Sequence, residues 1–333
     1  MSIAITPGRL ERRKLLPPLV AYVVRRVGIG IILVVAVSIL VFLCTQALPG
    51  DTASAIIGRS GSAEAKERLR EQLGLNDPLL SQYWAWFSGL LRGDLGSAVG
   101  SGQPVSEFLG KRLPNSLILG GLTLIVTVPS SIALGIWSGI RKDRPADHLI
   151  GGATLGFIAL PEFVTGTFLI SLFAIRFDVL PPISLFPPGE SPLAHPDVLV
   201  LPVMTLLLAG MAYNVRMVRA GVIDTLDTEY VQMARLNGIP EQRVIRKHVL
   251  RNSMAPTVQV IALTAQWLLG GVVVVETVFQ YPGLGDGLVK AVAARDIPLV
   301  QGTAMVFAVL YICINIVADV VIVLLIPKLR TAA

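Results

Sequence analysis

Three carboxylates stand inside, or at the edge of, long apolar runs: Glu162, Glu276 and Asp319. A charge at the centre of a bilayer costs on the order of 2.5–3.5 kcal/mol even on lenient insertion scales, so each must face a partner or water. Two chemistries follow. In the plain one each acid is a hydrogen-bonded or ion-paired structural group. In the sharper one the acids relay protons and drive an autonomous proton-coupled carrier. A second constellation lies in DTLDTEYVQMARLNGIPEQRVIRKHVLRNSMAP, which runs from Asp224 to Pro256 between two apolar runs. Asp224, Asp227 and Glu229 gather where a helix would begin, Arg235 stands near its end, and Gly238 follows. That is the charge order a helix dipole prefers, closed by a residue suited to a left-handed end. Tyr230, Met233, Ala234 and Asn237 recur at i, i+3, i+4 and i+7, which predicts a mostly apolar stripe. Pro240 is placed to start a second helix, with Glu241 next and Arg243, Arg246, Lys247 and Arg251 along it. Two capped helices meeting at a fixed corner make a knob shaped to dock into another protein.

Other chemistry lacks its residues. The sequence holds no G-x-x-x-x-G-K-[ST] loop for a nucleotide, no H-E-x-x-H and no G-x-S-x-G. His148, His195 and His248 lie far apart without ligand-spaced neighbours. Cys44 and Cys313 fall within different apolar runs and read as small buried apolar residues. The expectation is a chain that is not an enzyme and that itself binds no cofactor or metal.

The elements that position these residues are membrane spans. The 333 residues are 53% hydrophobic and 15% charged, too few charges for the surface of a soluble domain. Apolar runs at 27–48, 113–140, 149–176, 198–215, 254–277 and 299–326 each approach or exceed the roughly 20 residues of a bilayer crossing. The fold class expected is an all-α membrane protein of six transmembrane helices, with residues 113–326 as its core. Residues 1–26, 141–148, 214–253 and 327–333 carry 18 of the 28 Lys+Arg. The outer loop 178–197 carries none, so both termini are assigned to the inside. The net charge of +6 is thus a topological signal and does not indicate nucleic acid. The external segment 49–112 balances its charges. Within it SAEAKERLREQLG reads as a helix capped by Ser62 and ended by Gly74. LLSQYWAWFSGLLRGD follows, with Leu80, Trp84, Phe87 and Leu91 on one face, suited to lie along the outer leaflet. Pro129, Pro161, Pro202 and Pro256 predict kinks in spans.

EYVQMARLNGIPEQRVIRKHVLRN resembles the EAA loop of ABC importer membrane subunits, here the cytoplasmic loop 216–253. Gly238 matches the loop's glycine, Ala234 its second alanine and Leu250 its leucine. Gln232, Met233, His248 and Arg251 depart from the general pattern as the peptide/nickel branch does. LPGD at 48–51, LGLNDPLLSQYWAWFSGLLRGDLG at 73–96, HVLRNSMAP at 248–256 and VVETVFQYPGLG at 274–285 resemble that branch too. The tail LLIPKLRTAA departs from it. The resemblance implies a type I permease architecture in a bacterial or archaeal cytoplasmic membrane. It implies a homologous second permease, two cytoplasmic ATPase subunits (or one fused ATPase) that hold the ATP and Mg, and an external substrate-binding protein. The cargo it implies is an oligopeptide or dipeptide, with nickel or a metal chelate as the alternative. Carried over, Glu229, Ala234, Gly238, Ile239, Pro240, Glu241, Gln242 and Arg243 would form the ATPase-coupling surface. Substrate-binding residues are not legible.

Overall fold

The computed structural model describes residues 18–47, 62–72 and 76–325, and these are helical with short connections. The elements are α1 (Pro18–Gln46), α2 (Ala63–Gln72), α3 (Leu79–Leu91), α4 (Val105–Ile140), α5 (Pro145–Ala159), α6 (Glu162–Leu169), α7 (Pro196–Leu226), α8 (Glu229–Leu236), α9 (Glu241–Val244), α10 (Leu250–Val278), α11 (Leu284–Ala294) and α12 (Ile297–Leu325). Wide π-helical turns prolong α6 over Ile170–Arg176 and join α9 to α10 over Ile245–Val249.

Five helices are long and apolar enough to cross a membrane, and six spans result if α5 and α6 count as one. The stretch 149–176, expected as a single span, is bent by 107°. Proline explains the bend. Leu160 precedes Pro161 and is pushed to an extended conformation (φ −96°, ψ 126°), so α5 ends and a new helix starts at Glu162. Pro114, Pro129 and Pro202 instead lie inside continuous helices.

The tightest pairing is α4 against α7. Gly135 and Gly139 sit one turn apart on α4, and a Cβ on either would come within 2.6–2.9 Å of Val218 or Val222. The two backbones approach only because those side chains are missing, as membrane helices without a hydrophobic driving force require. Helix α7 also packs on α10, and α1 packs on α12. Arg219 of α7 grips Asp147 at the start of α5 with two hydrogen bonds of 2.6 and 2.7 Å, while Ser138 and the Asp143 N–H also donate to that carboxylate. The short loop 141–144 is thereby tied to α7.

Two expectations on side chains change. Cys44 and Cys313 are exposed, Cys313 at the wall of an apolar cavity. On α3, Phe87 is buried together with Tyr83 against Phe42 of α1, and Tyr83 shares a 2.9 Å hydrogen bond with Ser38. Leu80, Trp84 and Leu91 stay exposed. An apolar helix has two candidate stripes, and the one opposite α1 points outward. Ser62 caps α2 by accepting from the Ala65 N–H, whereas Gly74 and residues 48–51 and 326–333 lie outside the described residues.

Candidate functional site

The polar segment forms a knob continuous with two spans. Helix α7 carries the fourth span through to Leu226, and α9, its π-helical turns and α10 run on without a break into the fifth.

Its corner is fixed by four devices. Gly238 takes a left-handed conformation (φ +73°), and its N–H donates to Arg235 O while Ile239 N–H donates to Ala234 O. These are the paired bonds of a Schellman closure. Pro240 (φ −54°) stands just before α9, at the position flanking the helix rather than as its first residue. Arg235 reaches across the corner to Glu241 with contacts of 2.6 and 3.1 Å. That guanidinium holds the Glu241 carboxyl below its ordinary range. Finally, Ile239 plugs into an apolar cluster of Val231, Ala234, Val244 and Val249 with Val218 and Val222 of α7 and Ile132 and Ile136 of α4. The knob is thus seated on the tight α4–α7 pair.

The buried stripe of α8 is Val231 and Ala234. Tyr230, Met233 and Leu236 face outward, Leu236 at 82% exposure. The expected stripe through Tyr230 and Met233 is apolar, but it is presented outside, where a partner could cover it. Beside it Pro240, Gln242, Arg243, Arg246 and Lys247 line a shallow basic concavity. Glu229 is exposed in the first turn of α8.

The three intramembrane acids are not brought together. Asp319 pairs with Arg26 of α1 at 3.0 Å. Glu276 is completely buried near the end of α10. It accepts from Ser116 Oγ (2.5 Å) and from the Gly285 and Asp286 N–H groups (2.6 and 3.3 Å) at the start of α11. Around it Ser116 accepts from Leu284 N–H, Tyr281 donates to Asn115 O, and Arg112 donates to Gly283 O and Asp286. This lock ties α4 to the QYPGLGDG turn. A Cβ on Gly283 would stand 2.0 Å from Glu276, and one on Gly285 2.5 Å from Val273, which is why both positions are glycine. Neither α11 nor the lock was foreseeable from periodicity, since Ser116 and Glu276 lie 160 residues apart. The third acid, Glu162, lines a separate cavity at the α5–α6 break.

Residues 131–331 match the family described as binding-protein-dependent transport system inner membrane component, and residues 19–120 match its N-terminal companion. A protein of Brucella abortus named as a peptide transport system permease is 34% identical over 93% of this chain and 99% of its own. Glutathione transport system permease proteins of Shigella flexneri and Escherichia coli K12 are each 36% identical over 93% of this chain and 98% of theirs.

Proposed function

The chain belongs to the binding-protein-dependent transport system inner membrane components, and from that premise we propose that its cargo is a peptide, of the size of a dipeptide or oligopeptide. As a family member it is the non-catalytic, multi-pass inner-membrane permease of an ABC importer. Peptide cargo is supported by the peptide and glutathione systems to which the relatives' names assign them. Glutathione is itself a tripeptide, so both names describe one chemical class. Nickel, or a metal chelate, is the weaker reading.

The observation that carries the mechanism is the knob. Its exposed Met233 and Leu236 and its basic concavity offer a mixed apolar and cationic surface to an ATPase subunit. In this reading a second, homologous permease completes the pore and two ATPases, or one fused ATPase, hold the ATP and Mg. Closure of the ATPases pushes Gly238–Arg243, and the continuous helices carry that push into the fourth and fifth spans. The N- and C-termini lie on the cytoplasmic side with the knob. A proton-coupled carrier would need acids in communication. Asp319 and Glu276 are instead each tied into local polar contacts in separate places.

Tagged chain is purified from membranes that also contain its genomic neighbours, and ATPase activity is then assayed. The proposal expects a second permease and ATPases to copurify, with hydrolysis stimulated by one external binding protein and its peptide. Recovery of this chain alone, moving solute down a proton gradient in vesicles, would overturn it.

A further inference from the structure

A cavity of about 470 Å3 opens at the break between α5 and α6, lined by the end of α5 (Phe157, Ile158, Leu160), by Glu162, and by the middle of α7 and α10. That volume lies within the range of ligand pockets, roughly 300–1,000 Å3. Four of its groups are chemically pointed. Glu162 supplies a carboxylate that forms no ion pair among the described residues. Asn214, only 3% exposed, accepts at its Oδ1 from the Thr264 hydroxyl, and its Nδ2 has no acceptor among the described residues. A buried amide donor is costly to leave unmade, and a ligand carbonyl in the cavity would satisfy this one. Tyr213 and Trp267 are both partly open to the cavity and present aromatic rings.

We infer that this cavity is a subsite of the translocation pathway that takes the amino-terminal end of a peptide. The α-ammonium sits against Glu162, and the first peptide carbonyl accepts from Asn214 Nδ2. The inference rests on the peptide reading above and adds to it where, and by which end, the cargo is held. Two physical arguments converge. A half-buried carboxylate with no ion pair among the described residues attracts a cationic ligand. Aromatic faces add cation–π attraction. One carboxylate and one amide form too sparse a donor set for a dehydrated metal ion. They suit an amino terminus, a feature common to peptides of every sequence. Non-helical backbone at membrane depth is tolerated where it lines such a cavity.

The test uses the complete complex in proteoliposomes, with binding protein, and compares uptake of one peptide with that of its N-acetylated twin. Loading of the binding protein is equalised from its separately measured affinities. Wild type is expected to move the free peptide at least about tenfold faster, the scale of one charge-assisted contact. Glu162→Gln should bring that ratio near one by slowing the free peptide alone, and Glu162→Asp should restore part of it. A ratio unchanged in Glu162→Gln, or both peptides slowed alike, would overturn the subsite while leaving peptide import standing. A wild-type complex that moved neither peptide would overturn the peptide reading, and the subsite with it.

Discussion

Replacing Glu276 by alanine tests the lock between α10 and the QYPGLGDG turn. In the native protein its carboxylate satisfies two backbone N–H groups at the start of α11 and the Ser116 hydroxyl, all in a site with no solvent exposure. Each buried donor left unmade costs about 1–3 kcal/mol, so the two N–H groups alone account for roughly 2–6 kcal/mol. Ser116 still accepts from Leu284 N–H and can turn its hydroxyl, so it adds little. Relief from burying the carboxylate offsets part of the loss. The net expectation is about 3 kcal/mol for Glu276→Ala. Glu276→Gln should cost about half of that, because its amide oxygen can still accept one of the backbone donors. At about 2–4 °C per kcal/mol for a chain approaching this size, the alanine variant should melt roughly 6–12 °C below wild type. A fluorescence melt of the purified complex reads this directly. An alanine variant melting within about 1 °C of wild type, or a glutamine variant as damaged as alanine, would show that the lock does not hold the turn.

Other expectations follow from the same geometry. Gly283→Ala should destabilise the same turn, because its Cβ would stand 2.0 Å from Glu276, whereas Gly110→Ala, inside α4 with nothing within 4 Å, should leave the same melt no lower than wild type. Asp147→Ala leaves Arg219 without its carboxylate in a site where Asp147 is 2% exposed, at a cost of about 3–5 kcal/mol, and pairing it with Arg219→Met should recover part of that in a double-mutant cycle. The Arg235–Glu241 bridge is exposed and worth only a few tenths of a kcal/mol after screening. Since Arg235 lowers the Glu241 pKa from its usual 4.5, the bridge contributes fully above that pH and is lost as pH falls through the lowered value. Hydrogen exchange at the Gly238–Ile239 corner should therefore be flat from pH 8 to about 5, after correction for intrinsic rates, and lose protection only below.

Much of the architecture is written in the order of residues, because spans are read from composition alone. Leu113–Ile140 lacks any charge, and no soluble surface could be built from such runs. The knob corner was equally legible: Gly238 and Pro240 act locally, and local conformation needs no knowledge of the fold. What sequence could not supply was partnership across distance. Asp147 meets Arg219 from 72 residues away, and Glu276 meets Ser116 from 160. Apolar runs mark spans and not helix ends: α7 continues past the apolar run 198–215 to Leu226. The choice between two apolar stripes on α8 and α3 also depended on what each packs against. Val231 and Phe87 face inward because α4, α7 and α1 are there. The cavity beside Glu162 escaped notice because its walls come from three separate segments of chain.

In the proposed importer, ATP hydrolysis reaches the membrane through the exposed face of α8 and its corner. Leu236→Asp places a charge on a side chain that is 82% exposed, so it should leave the bundle intact. ATP hydrolysed and peptide imported are measured together in proteoliposomes containing the whole complex. Import is expected to fall with the loss of ATPase association, or hydrolysis to continue while import stops. Wild-type import by Leu236→Asp and by Gly238→Val, at an unchanged ratio of peptide to ATP, would contradict it.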